Sequence, residues 1–75
     1  MSYHFEWIEH EGGYESRIGP LLVRYGPPPH RSDTPAWWRV DLRTGKEHIA
    51  GGSSPSVEFA RVEAENCAKA YLEKR

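Results

Sequence analysis

The last twenty residues of the chain contain neither glycine nor proline. From residue 57 onwards, apolar residues recur at three- and four-residue spacing, the pattern of a helix with one buried face. Ser54 can cap this helix and Pro55 suits its first position, so we predict a helix over about residues 55–73. Small residues in the apolar stripe let the helix lie close to bulky side chains of a sheet. The stripe comprises Val57, Ala60, Ala64, Cys67, Ala68 and Tyr71, with Leu72 beside it.

The first half of the chain shows the two-residue alternation of strands with one buried face. In YHFEWIEH, at residues 3–10, aromatic residues occupy the odd positions. Gly12 and Gly13 can take positive φ in the turn that follows. The next segment, YESRIGPLLVRYG, is interrupted by Gly19-Pro20, where we expect a bulge or a sheet edge because proline offers no ladder donor.

Two further strands are predicted after a proline-rich loop, GPPPHRSDTP, at residues 26–35. They are AWWRVDL and EHIAG, joined by a turn that places Gly45 in the left-handed conformation. The sequence therefore predicts an α+β fold, with a four- or five-stranded antiparallel meander and one C-terminal helix packed on one face. We expect a single domain over residues 1–75, with the sheet at about residues 3–51.

The length of the chain and its single cysteine limit the functions that it can have. A chain of 75 residues leaves little room for a buried catalytic pocket. The one cysteine, Cys67, cannot form an internal disulfide and falls in the helix stripe, so we read it as a small core residue of an intracellular chain. No apolar run approaches the roughly 20 residues of a membrane span, and no leader precedes the first strand. We expect a cytoplasmic protein with no membrane association.

The candidate catalytic and metal-binding residues lack the necessary arrangement. The four histidines are not spaced as a helix pair and have no cysteine partner, so we predict no metal and no cofactor. The glutamates near the N-terminus lie in a solvated acidic block with no sign of an apolar pocket to separate their pKa values. Gly45-Lys46 lacks the glycine-rich run of a phosphate loop and joins two strands. We predict that the chain is not an enzyme.

Charge is unevenly distributed along the chain, although the net charge is only −1. Residues 1–15 carry four glutamates and no lysine or arginine, whereas residues 16–46 carry six basic residues against two aspartates. In an antiparallel sheet these blocks lie side by side and largely cancel. The alternative is an exposed basic patch.

Two aromatic residues are not required by the predicted core. Strand alternation puts Trp38 on the buried face, so Trp37 faces outwards with Arg39 and Asp41. There it is either an indole beneath arginine stems or part of a binding surface. Phe59 lies on the opposite side of the helix from the stripe. It is either covered by the loop or the N-terminus, or belongs to an apolar patch for a partner or a second copy.

The sequence resembles many small uncharacterised proteins of bacterial and prophage genomes. The resemblance lies in GGYESRIGPLLVRY, in WWRVDLRTGKEHIAGG, and in a helix of the form S-x-E-x-A-R-x-x-A-E. It covers most of the chain, carries no catalytic residues, and does not account for the three-proline loop. It implies a small phage- or prophage-encoded modulator or inhibitor of a host protein complex, a class that includes inhibitors of the anti-CRISPR type.

We therefore expect a non-catalytic protein-binding module. The candidate partner-binding residues are Trp37, Arg39, Arg24, Phe59, His30 and Arg31. One alternative is a single-stranded nucleic-acid-binding domain that uses arginines and Trp37 on a sheet face, although a pI near 6.4 lacks the usual basic footprint. The other alternative is a small structural homodimer, since small domains often gain stability by pairing.

Overall fold

The computed structural model describes residues 3–28, 36–45 and 47–74. Five strands form one antiparallel sheet in which the strands follow chain order. One helix, α1, packs against β3, β4 and β5. The predicted α+β fold is confirmed, with five strands. The elements are β1 (Ile8–His10), β2 (Gly13–Ile18), β3 (Leu21–Gly26), β4 (Ala36–Leu42), β5 (His48–Ser54) and α1 (Val57–Glu73).

The core lies between α1 and the central strands β3 and β4. Leu21, Val23 and Val40 are completely buried there and pack against Ala64 and Ala68. A second cluster at the start of the helix joins Tyr25, Ala36 and Ala60. The predicted helix stripe is thus confirmed, and its buried positions are the three alanines at 60, 64 and 68. No helix of the described chain is both long and apolar enough to cross a membrane.

Two-residue turns close the first two hairpins. Glu11 and Gly12 form the β1–β2 turn with φ of 45° and 81°, the pair of positive φ values that a type I′ turn requires. We expected Gly12 and Gly13 in these conformations. Gly19, with φ of 55°, and Pro20 form the β2–β3 turn. The prediction of a bulge or edge there was wrong, because proline fits a turn position from which no ladder bond is needed.

The helix begins two residues later than predicted. Ser56, not Ser54, is the N-cap, and its side chain accepts a hydrogen bond of 3.1 Å from the Phe59 amide. Ser54 is instead the last residue of β5, where it is buried and donates to Glu63. The sheet therefore extends three residues beyond the predicted limit at residue 51.

Only the end of the predicted first strand pairs with the sheet. Residues 3–7 have no regular secondary structure, yet their side chains still alternate between partly buried and exposed. Phe5 and Trp7 stack with ring centroids 5.8 Å apart, and Trp7 meets the edge of Tyr25. Trp7 Nε1 also donates a 2.9 Å hydrogen bond to Glu65 of the helix. The aromatic alternation predicted which side chains are buried but not how long the strand is.

Candidate functional site

The face of the sheet opposite the helix is the candidate site, which we call the outer face. It carries Trp37, Arg39 and Asp41 on β4, and Arg24 on β3, because alternate residues of a strand share a face. Trp37 pairs with Gly26 across the β3–β4 ladder, and Arg39 pairs directly with Arg24. Three of the six candidate binding residues are therefore neighbours on this face, as the sequence predicted.

The indole of Trp37 lies over glycine backbone. A Cβ atom placed on Gly26 would be 2.8 Å from Trp37 Cζ2, and one placed on Gly13 would be 3.3 Å from the same atom. Both glycines are buried although they belong to strands with an open face. Trp38 makes a similar contact on the helix side, where a Cβ on Gly52 would meet its ring at 3.2 Å. Trp37 therefore packs part of its ring against its own sheet and is only half-buried.

Asp41 is the centre of a cluster of charged side chains on the outer face, which we call the Asp41 cluster. Its carboxylate is only 7% exposed and accepts hydrogen bonds from three cationic or ionisable residues. Arg39 Nε lies 3.1 and 2.9 Å from the two oxygens, and Arg24 Nη2 lies 3.2 Å from Oδ2. His48 Nδ1 lies 2.8 Å from Oδ1. The Asp41 cluster thus comprises Arg24, Arg39, Asp41 and His48.

The electrostatics of the cluster follow from this geometry. Like charges directly opposite each other on neighbouring strands repel, as Arg24 and Arg39 would. The carboxylate of Asp41 bonds to both guanidinium groups and offsets this repulsion. Burial acts to raise the pKa of Asp41, but the hydrogen bonds from His48, Arg39 and Arg24 outweigh it and hold the pKa below its ordinary value. The carboxylate is therefore ionised at neutral pH.

A register shift brings His48 into the cluster. Val40 pairs with Ala50 and Asp41 pairs with His48, so Ile49 is an extra residue on β5. Without this irregularity, strict alternation would give Asp41 a different partner. The sequence predicted that Asp41 lies on the outer face, but it did not predict His48 beside it, because no residue of EHIAG indicates the register shift. Bulges are common at sheet edges, and β5 is an edge strand.

A shallow depression of about 250 Å³ lies over the Asp41 cluster. Arg39 is 53% exposed and His48 51%, so both side chains reach solvent while the carboxylate between them does not. Leu22, Gly45 and Glu47 complete the lining. The acidic and basic blocks of the sequence meet beside it, where Glu15 pairs with Arg24 across the β2–β3 ladder.

The other predicted binding residues lie elsewhere. Phe59 is 52% exposed on the outer side of the helix, beside Val62 at 42%, and the two line a separate depression of about 330 Å³. The helix separates this patch from the sheet, so Phe59 does not join the residues of the outer face. His30 and Arg31, in the proline-rich loop, lie outside the described residues.

The described part of the chain contains no group of three or more His, Cys, Asp or Glu residues arranged to hold a metal ion. Burial raises the pKa of the Cys67 thiol, which keeps it protonated and weakly nucleophilic. The Asp41 cluster offers guanidinium and imidazole donors around a carboxylate that is already bound on several sides. Such an arrangement can donate hydrogen bonds to an anion.

Comparison with protein-family models, with curated proteins and with solved structures found no match to this chain.

Proposed function

We propose that this chain is a non-catalytic protein-binding module whose contact surface is the outer face of the sheet. The observation that supports the proposal is the Asp41 cluster: two arginines are held side by side by a buried carboxylate, on the face that the helix leaves open. Arginine and tryptophan are among the residues that contribute most to protein interfaces, and both are present here.

Stability alone is a weak reason for such a cluster. Taking a carboxylate out of water costs several kcal/mol, and its ion pairs return little more than that cost. Apolar residues of similar volume would hold a sheet together equally well. The cluster does, however, restrict two long side chains that would otherwise lose rotamer entropy on binding, about 0.5–1.5 kcal/mol each. Pre-ordered arginines on an open face favour a role in recognition.

The class of partner comes from the resemblance to prophage proteins, which implies a subunit of a host protein complex in the cytoplasm. Single-stranded nucleic acid is the less favoured ligand, because Glu15 and Asp41 lie among the arginines and reduce the positive potential that a phosphate backbone requires. A homodimer through the helix would use Phe59 and leave the outer face free.

Affinity capture from bacterial lysate, followed by calorimetry with the purified captured protein, tests the proposal. The variants are Arg39→Ala in the cluster, Arg43→Ala as the matched control outside it, and Phe59→Ser on the helix. We expect one partner that binds at 1:1 stoichiometry, with affinity about 30-fold weaker for Arg39→Ala, the loss of about 2 kcal/mol of a hot-spot residue. Arg43→Ala and Phe59→Ser should bind within twofold of the unmodified chain.

Three results would contradict the proposal. The first is a partner that Arg39→Ala and Arg43→Ala bind equally well. The second is a partner lost only with Phe59→Ser, which would assign binding to the helix. The third is retention of nucleic acid in place of protein, with an affinity that falls steeply as salt rises. Light scattering on the purified chain identifies the homodimer, whose mass would return to that of the monomer in Phe59→Ser.

A further inference from the structure

We propose that the depression over the Asp41 cluster is a carboxylate-binding subsite, which takes an aspartate or glutamate side chain from an acidic segment of the partner. The source of the carboxylate rests on the proposed function above. The subsite itself is a property of Arg24, Arg39 and His48, and a small peptide can test it without the partner.

The cluster has more donors than Asp41 uses, and one of them, Arg24 Nε, is buried with no hydrogen-bond partner among the described residues. A guanidinium group carries five N–H donors in a planar fork. Arg24 gives Asp41 one bond from Nη2, and Arg39 gives Asp41 bonds from Nε alone. His48 bonds through Nδ1, which leaves Nε2 on the other side of its ring. The cluster can therefore donate to a second acceptor without losing the bonds that order it.

The charges of the Asp41 cluster favour binding of a second anion in addition to Asp41, and they favour an anion that carries a single charge. The two arginines carry two positive charges, and the buried carboxylate of Asp41 neutralises one of them. Since Arg24 and Arg39 are direct cross-strand neighbours, a carboxylate from above would offset the remaining positive charge and their repulsion. A doubly charged phosphoryl group would instead leave a net negative charge next to Asp41. A set of two arginines and two carboxylates is balanced, and Glu47, which lines the depression but forms no bond to either arginine among the described residues, is the carboxylate of this chain that competes for the second place.

The dimensions of the depression fit a side chain rather than a larger ligand. Its volume is about 250 Å³, and Leu22 and Gly45 give it an apolar wall that the methylene groups of a glutamate can contact. Glu47 also lines it and is exposed, so its carboxylate competes for the same donors. Removing the charge of Glu47 should therefore strengthen binding of an added carboxylate, a gain that a simple loss of structure cannot mimic.

The test is an NMR titration of the arginine Nε–H signals of ¹⁵N-labelled protein at constant ionic strength. The probes are a blocked tetraglutamate peptide, the matching tetraglutamine peptide and inorganic phosphate. We expect saturable shifts at Arg24 and Arg39 with tetraglutamate alone. Arg24→Gln should weaken binding about tenfold, the effect of about 1.4 kcal/mol, which one charge-assisted bond supplies. Arg43→Gln should change it less than twofold, and Glu47→Gln should tighten it about threefold.

Several results would overturn the subsite. Equal shifts with the glutamine peptide would show that charge is not recognised, and equal weakening by Arg24→Gln and Arg43→Gln would show general electrostatic attraction. Tighter binding of phosphate than of tetraglutamate would refute the choice of a carboxylate. Arg39→Gln, at a more exposed position, replaces Arg24→Gln if circular dichroism shows the latter to be unfolded.

The two proposals fail separately. Binding of the peptide without any captured protein would leave the subsite standing and refute the protein-binding function. A captured partner that needs Arg39, combined with no tetraglutamate binding, would keep the function and refute the carboxylate.

Discussion

The contact between Trp37 and Gly26 can be tested by a double-mutant cycle. Gly26→Ala puts a methyl group 2.8 Å from Trp37 Cζ2 and 3.1 Å from Cε2, so the indole must move off the sheet. Trp37→Ala removes the ring and with it the obstacle. The two substitutions should therefore destabilise the protein by less in combination than the sum of their separate effects.

The magnitudes follow from the geometry. A buried tryptophan removes about 150–250 Å² from water, so the half-buried Trp37 loses about 100 Å² on truncation, or about 2.5 kcal/mol at about 25 cal/mol per Å². Overpacking at Gly26 costs about 2 kcal/mol when the ring is present. Without the ring, the methyl group still lies 3.1 Å from the Cα of Gly13, so about half of that cost remains. We expect a coupling free energy of about 1 kcal/mol.

Urea denaturation followed by far-ultraviolet circular dichroism measures the free energy of unfolding independently of the tryptophan that is changed. The control is the same cycle with Gly51→Ala. The three atoms nearest a Cβ on Gly51 are Trp38 O at 3.1 Å, His48 Cε1 at 3.3 Å and His48 Nε2 at 3.6 Å, and none of them belongs to Trp37. That pair should be additive within about 0.5 kcal/mol. Additivity in both cycles would refute the packing of the indole on Gly26 and leave Trp37 free for a partner.

Three further substitutions have expected outcomes in the same assay. Ser56→Ala removes the helix cap and should cost about 1 kcal/mol; an unchanged midpoint would contradict that role. Glu11→Asn places a residue that tolerates positive φ in the first turn and should add about 0.5 kcal/mol, whereas a loss would argue against that turn geometry. Asp41→Asn should cost about 2 kcal/mol at pH 7. Because the native pKa of Asp41 lies below 3.8, the stability it contributes is present above about pH 4 and lost as the pH falls through the native value, so the two proteins should converge in acid. A difference that stays constant down to pH 2 would contradict this linkage.

The sequence predicted the architecture because local pattern and global packing agree. The helix stripe and the alternation of AWWRVDL each specify one buried face, and the two faces meet in the core. The ends of the strands and of the helix were harder to predict, because the same residue type can occur in two different structural positions. Ser54 and Ser56 are both suitable caps, but Ser54 points to the interior, where Glu63 accepts its hydrogen bond. Gly19-Pro20 interrupts a strand pattern and also fits a two-residue turn.

The candidate site was predicted only in part, and the missing part has a physical reason. The positions of Arg39 and Asp41 on the outer face follow from the alternation of side chains along β4. The position of Arg24 beside them follows from the register that the hydrophobic faces impose. The position of His48 depends on a one-residue shift in an edge strand, and such shifts carry no distinct signature in a single sequence. The burial of Asp41 was unexpected as well, because it results from three side chains closing over it.

Trp37 and Arg39 both lie on the outer face, but they differ in how much they contribute to the stability of the fold. Trp38 and Trp37 point to opposite faces, and each covers a glycine on a neighbouring strand, Gly52 for Trp38 and Gly26 for Trp37. Part of Trp37 is therefore committed to the fold, and its truncation would reduce stability and binding together. Arg39 has no such role in the core: it is more than half exposed, and among the described residues its side chain bonds to Asp41. A binding defect in a stable Arg39 variant thus reports on recognition, which a defect in a Trp37 variant cannot do.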